Sequence, residues 1–348
     1  MELKELGWNP LLEQHYEPFR ERGYSVGRVI KEHRQLYDVA SESGERLGEL
    51  AGKLRFKAAG RADLPAVGDW VVIKEEGERA IIHAILPRKS KFSRQVAGAV
   101  TEEQIVATNI DIALLVMALN QDFNLRRMER YLLLAWESGA NPIIVLSKSD
   151  LSEEAEGQAA QVEAIAPGVP VHTISAIHTQ GLQALAPYLV QGRTMALIGS
   201  SGVGKSTLIN ALAGEELQRV NDIRHGDGRG KHTTTHRELI VLPQGGIIID
   251  TPGMRELQLN ASDDGLDAAF EDIERLSDAC RYRDCMHRGE PGCAIQSAIA
   301  NGELDRKRYQ SYVKLEKELE YAMRREKAKA RLSNKIDQKT DRRSRKLE

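Results

Sequence analysis

Gly199-Ser200-Ser201-Gly202-Val203-Gly204-Lys205-Ser206-Thr207 follows the apolar run Met195–Ile198 and opens the helix-like stretch Lys205–Leu212. It fits G-x-x-x-x-G-K-[ST] completely, in the strand–loop–helix setting that the pattern requires. A triphosphate is a dense anion. A glycine-rich turn lets successive backbone N–H groups point inward at it, and the N-terminus of the next helix adds favourable partial charge. Lys205 is therefore expected to reach the β- and γ-phosphates, and Ser206 to bind Mg2+.

Two further loops carry nucleotide chemistry. Ser147-Lys148-Ser149-Asp150 follows the strand-like run Ile143–Leu146. An Asp there accepts hydrogen bonds from N1–H and the exocyclic amine of guanine; adenine offers neither, and the unpaired carboxylate would reject it. Ser175-Ala176, after Val171–Ile174, supports that loop. Asp250-Thr251-Pro252-Gly253 follows Ile247–Ile249. Asp250 is expected near Mg2+ through a water, because this ion keeps octahedral oxygen coordination. The Gly253 N–H is expected to sense the γ-phosphate. Between the phosphate loop and Asp250 lies Gly226-Asp-Gly-Arg-Gly-Lys-His232-Thr-Thr234-Thr235. This stretch is expected to be mobile, with Thr234 completing the Mg2+ shell and its neighbours as alternatives. In ordinary GTPases the phosphate loop comes first and the base reader near the end. Here the base reader comes first, which predicts a circularly permuted GTPase.

All three cysteines fall in Cys280-x4-Cys285-x-His287-x5-Cys293. Three thiolates and one imidazole make a closed tetrahedral shell for one structural Zn2+.

The 348 residues carry 49 Lys+Arg and 51 Asp+Glu, a net charge of −2, and the length predicts two or three domains. The charge is uneven. Arg306–Glu348 holds 16 Lys+Arg against 7 Asp+Glu, which suits either a polyanion-binding arm or a solvated helix face. The longest apolar run, Ile112–Leu119, is far short of the ~18–20 residues that span a bilayer. The N-terminus lacks the apolar region of a secretory signal, and three cysteines do not make a disulfide framework. A cytoplasmic protein with no membrane partner is expected.

Residues 1–22 read as a polar extension that packs on something else or stays mobile. From Tyr24 to Leu86, the runs Ser25–Ile30, Leu36–Ala40, Asp69–Ile73 and Ala80–Leu86 alternate with glycines, as in a small closed barrel of OB or SH3-like type. Pro87–Arg94 then sets four cations around Phe92, a pattern for holding phosphates while the ring stacks on a base, or for an ordinary linker. From Asn109, near-continuously apolar runs alternate with helical stretches such as Leu125–Glu137, predicting a mostly parallel sheet. Beyond Asp263 come the cysteine cluster, the charged helical stretch Leu304–Lys329 and a basic tail.

The motif order, the Lys231-His232-Thr233-Thr234-Thr235 loop and the cysteine–histidine spacing together resemble the RsgA (YjeQ) family of ribosome small subunit-dependent GTPases, over roughly Tyr24 to Leu319. The resemblance implies an OB-fold β-barrel (24–97), a circularly permuted α/β P-loop GTPase domain (98–262), and a helical zinc-binding domain with its basic tail (263–348); the N-terminal extension (1–23) exceeds the family's minimal pattern. It implies a monomer that binds the 30S subunit late in maturation, contacts 16S rRNA, and hydrolyses GTP to GDP and phosphate with stimulation by the subunit. A nucleotide-gated RNA- or protein-binding module with incidental hydrolysis is the alternative; a permuted GTPase acting on a protein or membrane partner is a third reading. Two positions depart from common GTPase patterns. Ser147 stands where the family carries Asn, losing an amide that braces the base pocket. Met254 stands where many GTPases place the Gln that orients water, so His232 becomes the candidate for that task, beside Lys205 and Thr234; a γ-phosphate or rRNA contact is the other reading of His232.

Overall fold

The computed structural model describes residues 2–96, 102–215, 238–250, 266, 269–321 and 323–324. The chain divides into two compact units, Met1–Gln258 and Leu259–Glu348.

The first unit opens with α1 (Pro10–Arg20), capped by the Asn9 side chain, which accepts from the N–H groups of Leu11 and Leu12. Its buried Leu12 and Tyr16, with Leu6, pack on Val26, Trp70 and Leu86 of the barrel that follows. Of the two expectations for this extension, packing holds.

The barrel comprises β1 (Ser25–Glu32), β2 (Tyr37–Ser41), β3 (Gly44–Leu50), β4 (Trp70–Glu76) and β5 (Arg79–Ile85), with α2 (Gly52–Lys57) between β3 and β4. The strands pair in the order β1-β2-β3-β5-β4, and β4 returns to β1 to close the sheet. β3 and β5 run parallel, all other barrel pairs antiparallel. This five-stranded Greek-key closure is the OB-fold and resolves the choice that the sequence left open.

The linker departs from its phosphate-binding reading. Residues Lys91–Val96 form β6, paired antiparallel with β7 (Glu102–Thr108). Phe92 is only 2% exposed, so its ring cannot meet a base. Arg88 is engaged bidentately with buried Asp69 at 2.8 and 2.7 Å and with the carbonyls of Ala62 and Leu64. Lys89 pairs with Asp111 and Lys91 with Glu103. The alternation of a strand turned the apolar ring inward, and Arg88, Lys89 and Lys91 are paired within the fold.

The α/β part contains β8 (Ile112–Ala118), α3 (Leu125–Ser138), β9 (Asn141–Ser147), α4 (Ala155–Ile165), β10 (Val171–Thr173), β11 (Thr194–Ile198), α5 (Lys205–Ala213), β12 (Glu238–Val241) and β13 (Ile247–Asp250). The order is β10-β9-β8-β11-β13-β12, parallel except for antiparallel β12. Every residue of β8 is buried, as a central strand covered on both faces demands. β12 also pairs with β1 of the barrel at Lys31 and Glu238, so one sheet runs through both parts.

Arg28 of β1 lies where these parts meet and is 1% exposed. Its guanidinium donates to the carbonyls of Leu6, Gly68 and Asn109 and to Thr194 Oγ1 at 2.9 Å. Burial lowers its pKa to about 10, opposed by Asp111 and Asp69. Gly68 is tightly fitted beside it: its φ is +95°, and a Cβ would stand 2.2 Å from the Thr108 carbonyl.

In the second unit, α6 (Glu271–Asp278), α7 (Ala294–Asn301) and a helix α8 over 306–321 surround the cysteine cluster. Arg308 binds Asp272 through two hydrogen bonds of 2.8 and 2.6 Å and lies over the Phe270 ring. Leu315 and Leu319 of α8 are buried with Ile273 and Ile295. No helix among the described residues is long and apolar enough to cross a membrane.

Candidate functional site

The loops that follow β8, β9 and β11 and the end of β13 gather at one edge of the sheet, at the carboxyl ends of its parallel strands, the usual ligand edge of open α/β folds. Gly199 leaves β11 where a Cβ would approach the Val116 carbonyl of β8 to 2.3 Å, so only glycine lets the phosphate loop begin there. Gly202 and Gly204 take positive φ, 77° and 96°, and turn the chain into α5. Ser201 lies in that turn, and Ser206 and Thr207 are half-buried in the first turn of α5. Lys205 Nζ donates to the carbonyls of Gly199 and Ser200 at 2.8 and 2.7 Å.

The loop Ser147–Asp150 is fastened to the phosphate loop. Ser147 is 3% exposed, and its Oγ donates to the Val203 carbonyl at 2.6 Å and lies 3.3 Å from that of Met117. The hydroxyl thus makes a direct bridge at the position where a longer amide was expected. Lys148, held in the left-handed region at φ 59°, donates from Nζ to the Gly202 carbonyl at 2.6 Å. Asp150 sits exposed in the short 3-10 turn Ser149–Leu151. Buried Ser175 donates from Oγ to Asp150 Oδ1 at 2.5 Å and orients the carboxylate. The Ser149 N–H donates to Ile174, which ties in the segment carrying Ser175 and Ala176.

Asp250 ends β13 and is 8% exposed. Its neighbour Ile249 pairs with Ala196 of β11, which sets Asp250 at the same edge as the phosphate loop. Gly253, Met254, His232 and Thr234 lie outside the described residues.

Sequence reasoning missed two residues beside Ser200. Arg127, in the first turn of α3, donates from Nη1 to Ser200 Oγ at 2.8 Å and to Asp122 Oδ1 at 2.6 Å. The Tyr131 hydroxyl lies 3.5 Å from the same Oγ. Asn120 and Asn124 shape the turn before α3, accepting the N–H groups of Asp122 and Arg127. Their asparagine-rich turn was the available signal, but nothing in it pointed to Ser200.

The second site is the cysteine cluster. One ligand atom each from Cys280, Cys285, His287 and Cys293 lie within 4.8 Å of one another, a set that could hold a metal ion. His287 Nδ1 lies 3.5 Å from both Cys280 Sγ and Cys293 Sγ, and its Nε2 is 3.1 Å from Ser277 Oγ. One nitrogen therefore faces the sulfurs while the other is anchored, as metal-ligating histidines usually are. Burial alone would raise the Cys280 thiol, but N–H groups of Ala294 and Ile295 bring it below its ordinary value. Glu290 completes the loop: its carboxylate accepts from the N–H groups of Met286 and Arg288 at 3.1 and 2.7 Å.

An RsgA GTPase family model matches residues 85–260, and an ABC transporter model matches residues 182–341, a range that also holds the phosphate loop. The chain is 45% identical over 336 residues to the small ribosomal subunit biogenesis GTPase RsgA of Opitutus terrae, covering 93% of this chain and 92% of the relative. Among solved structures it is similar to YjeQ from Thermotoga maritima, with TM-score 0.63 and 28% identity, covering 85% of this chain and 98% of that one. It is also similar to YloQ, described as a circularly permuted GTPase, with TM-score 0.59 and 28% identity, covering 85% and 95% of the two chains.

Proposed function

This chain belongs to the RsgA GTPase family and is a GTP-hydrolysing enzyme of small ribosomal subunit maturation; on that premise we propose that its turnover is stimulated by the 30S subunit, which it engages through 16S rRNA as a monomer in the cytoplasm. The observation that carries the nucleotide reading is the pair of bonds from Ser147 and Lys148 to Val203 and Gly202. They lock a base reader onto a phosphate loop that follows it in the chain.

Residues take these roles in the proposal. Asp150, aligned by Ser175, accepts from N1–H and the 2-amine of guanine, with Ser149 and Ala176 shaping the base pocket. Backbone N–H groups of Gly199–Thr207 cradle the phosphates. Lys205, now held by the carbonyls of Gly199 and Ser200, turns to the β- and γ-phosphates, where its charge opposes the charge developing at transfer. Ser206, Thr234 and Asp250 supply hard oxygen donors suited to Mg2+, which would shield the phosphate charge. Gly253 reads the γ-phosphate and His232 positions the attacking water.

Three thiols and an imidazole nitrogen in one small cluster fit Zn2+ better than a hard cation. Cys280, Cys285, His287 and Cys293 would hold one structural ion that fastens α6 to α7.

The deciding experiment measures GTP turnover with and without 30S subunits, together with cosedimentation in the presence of a GTP analogue or GDP. Stimulated turnover and analogue-dependent cosedimentation are expected. Turnover indifferent to the subunit would overturn the coupling.

A further inference from the structure

The ring that the linker withholds has a counterpart on the barrel. α2 carries the sequence Gly52-Lys53-Leu54-Arg55-Phe56-Lys57. Leu54 packs on the barrel cluster of Val29, Val39, Ile73 and Ile82, and this anchor fixes the rotation of the helix. Lys53, Phe56 and Lys57 then share one face at i, i+3 and i+4. All three are exposed, as is Arg55, and Phe56 is 91% exposed. A single exposed apolar side chain would need no explanation. Three cations flanking the ring on a six-residue helix do, because none of them has an ion-pair partner among the described residues.

We propose that Phe56, with Lys53, Arg55 and Lys57, is a docking face for RNA, in which the ring stacks on an unpaired base and the cations take the flanking phosphates. The proposal rests on the ribosomal reading above and deepens it. Its basis is charge complementarity joined to shape. A polyanion that also carries flat π faces satisfies both groups at once, whereas an apolar protein pocket would have to desolvate three lysine and arginine heads beside the ring. Leu54 holds the helix on the barrel, so stacking has only side chains, and not backbone, to order.

The test uses full-length protein, a fluorescently labelled single-stranded RNA 12-mer and purified 30S subunits. Phe56→Ala should weaken 12-mer binding by about five- to one-hundredfold, with the salt slope unchanged, and Phe56→Trp should bind at least as well as the parent. Lys53→Gln, Arg55→Gln and Lys57→Gln together should reduce the slope of log affinity against log salt by about 0.7 per cation removed. Cosedimentation with 30S should weaken in the same order. If the parent protein cosediments and Phe56→Ala equals it in both assays, the docking face is overturned while the ribosomal reading stands. If Phe56→Leu restores binding as fully as Trp, the contact is apolar rather than stacking and the proposal also fails. If the parent itself ignores 30S, the ribosomal reading fails, and the 12-mer series alone decides the face. Unchanged thermal unfolding midpoints confirm that each variant is folded.

Discussion

Ser147 Oγ and the Val203 carbonyl lie 2.6 Å apart, joining the last residue of β9 to the middle of the phosphate loop. Removing the hydroxyl leaves a buried carbonyl without its donor, at a cost of about 1–2 kcal/mol. Ser147→Ala should therefore weaken GTP and GDP alike, by roughly five- to thirtyfold. Titration with a fluorescent guanine nucleotide checks this; a variant that binds both as the parent does would show that the bridge does not shape the pocket.

Asp150 is aligned by Ser175, and in the proposed base pocket its acceptor-only carboxylate selects guanine. Asp150→Asn should lose GTP affinity by at least about a hundredfold and gain xanthosine triphosphate, whose 2-oxo group needs a donor. Competition between the two nucleotides reads the exchange directly. Retained preference for GTP would remove Asp150 from the base pocket.

Arg127 and Ser200 form a second brace on the phosphate loop, from the side of α3. The Ser200 carbonyl also holds Lys205, so loosening Ser200 disturbs the lysine. Arg127→Met should raise KM for GTP several-fold, with a smaller effect on kcat, and Ser200→Ala should do the same. The double variant should be no worse than either single one, since both remove one interaction. Fully additive effects would show that the two residues act separately.

Elemental analysis of protein purified without added metal should find one zinc per chain, and Cys285→Ser should make residues 271–319 protease-sensitive. Glu290→Gln should speed zinc loss to a chelator by about tenfold or more, because Glu290 fixes the N–H groups of Met286 and Arg288 in the ligand loop. A metal-free parent protein with an equally resistant segment would reject the site.

Deleting residues 323–348 removes much of the basic tail. The truncated protein should keep its intrinsic GTP turnover, bind 30S subunits more weakly and show a shallower salt dependence. Unchanged affinity and slope would make the tail a solvated extension.

What the sequence disclosed was local. The phosphate loop, Asp150 with its neighbours and the cluster of three cysteines and a histidine are each written in a few consecutive or closely spaced residues, because their geometry depends on short-range backbone structure. The strands around them were legible from apolar runs, although β3 escaped notice because Gly44-Glu-Arg-Leu-Gly-Glu-Leu50 shows no apolar run. Phe92 and Phe56 show the limit. Both rings are flanked by basic residues in sequence, and only the pairing of β6 with β7 and the anchoring of Leu54 decide that one is buried and the other displayed. Arg127 and Ser200 are separated by 73 residues, a distance over which no periodicity signals contact.

The setting of Arg28 bears on how the chain is made. Its partner Thr194 lies 166 residues downstream. At synthesis rates of about 5–20 residues per second, Arg28 is made roughly 8–33 s before that partner exists. Until then the nascent barrel carries a cation in an incomplete socket. Closing the socket waits for β11, the strand that also leads into the phosphate loop, so this buried hydrogen bond of the barrel is completed by the α/β part.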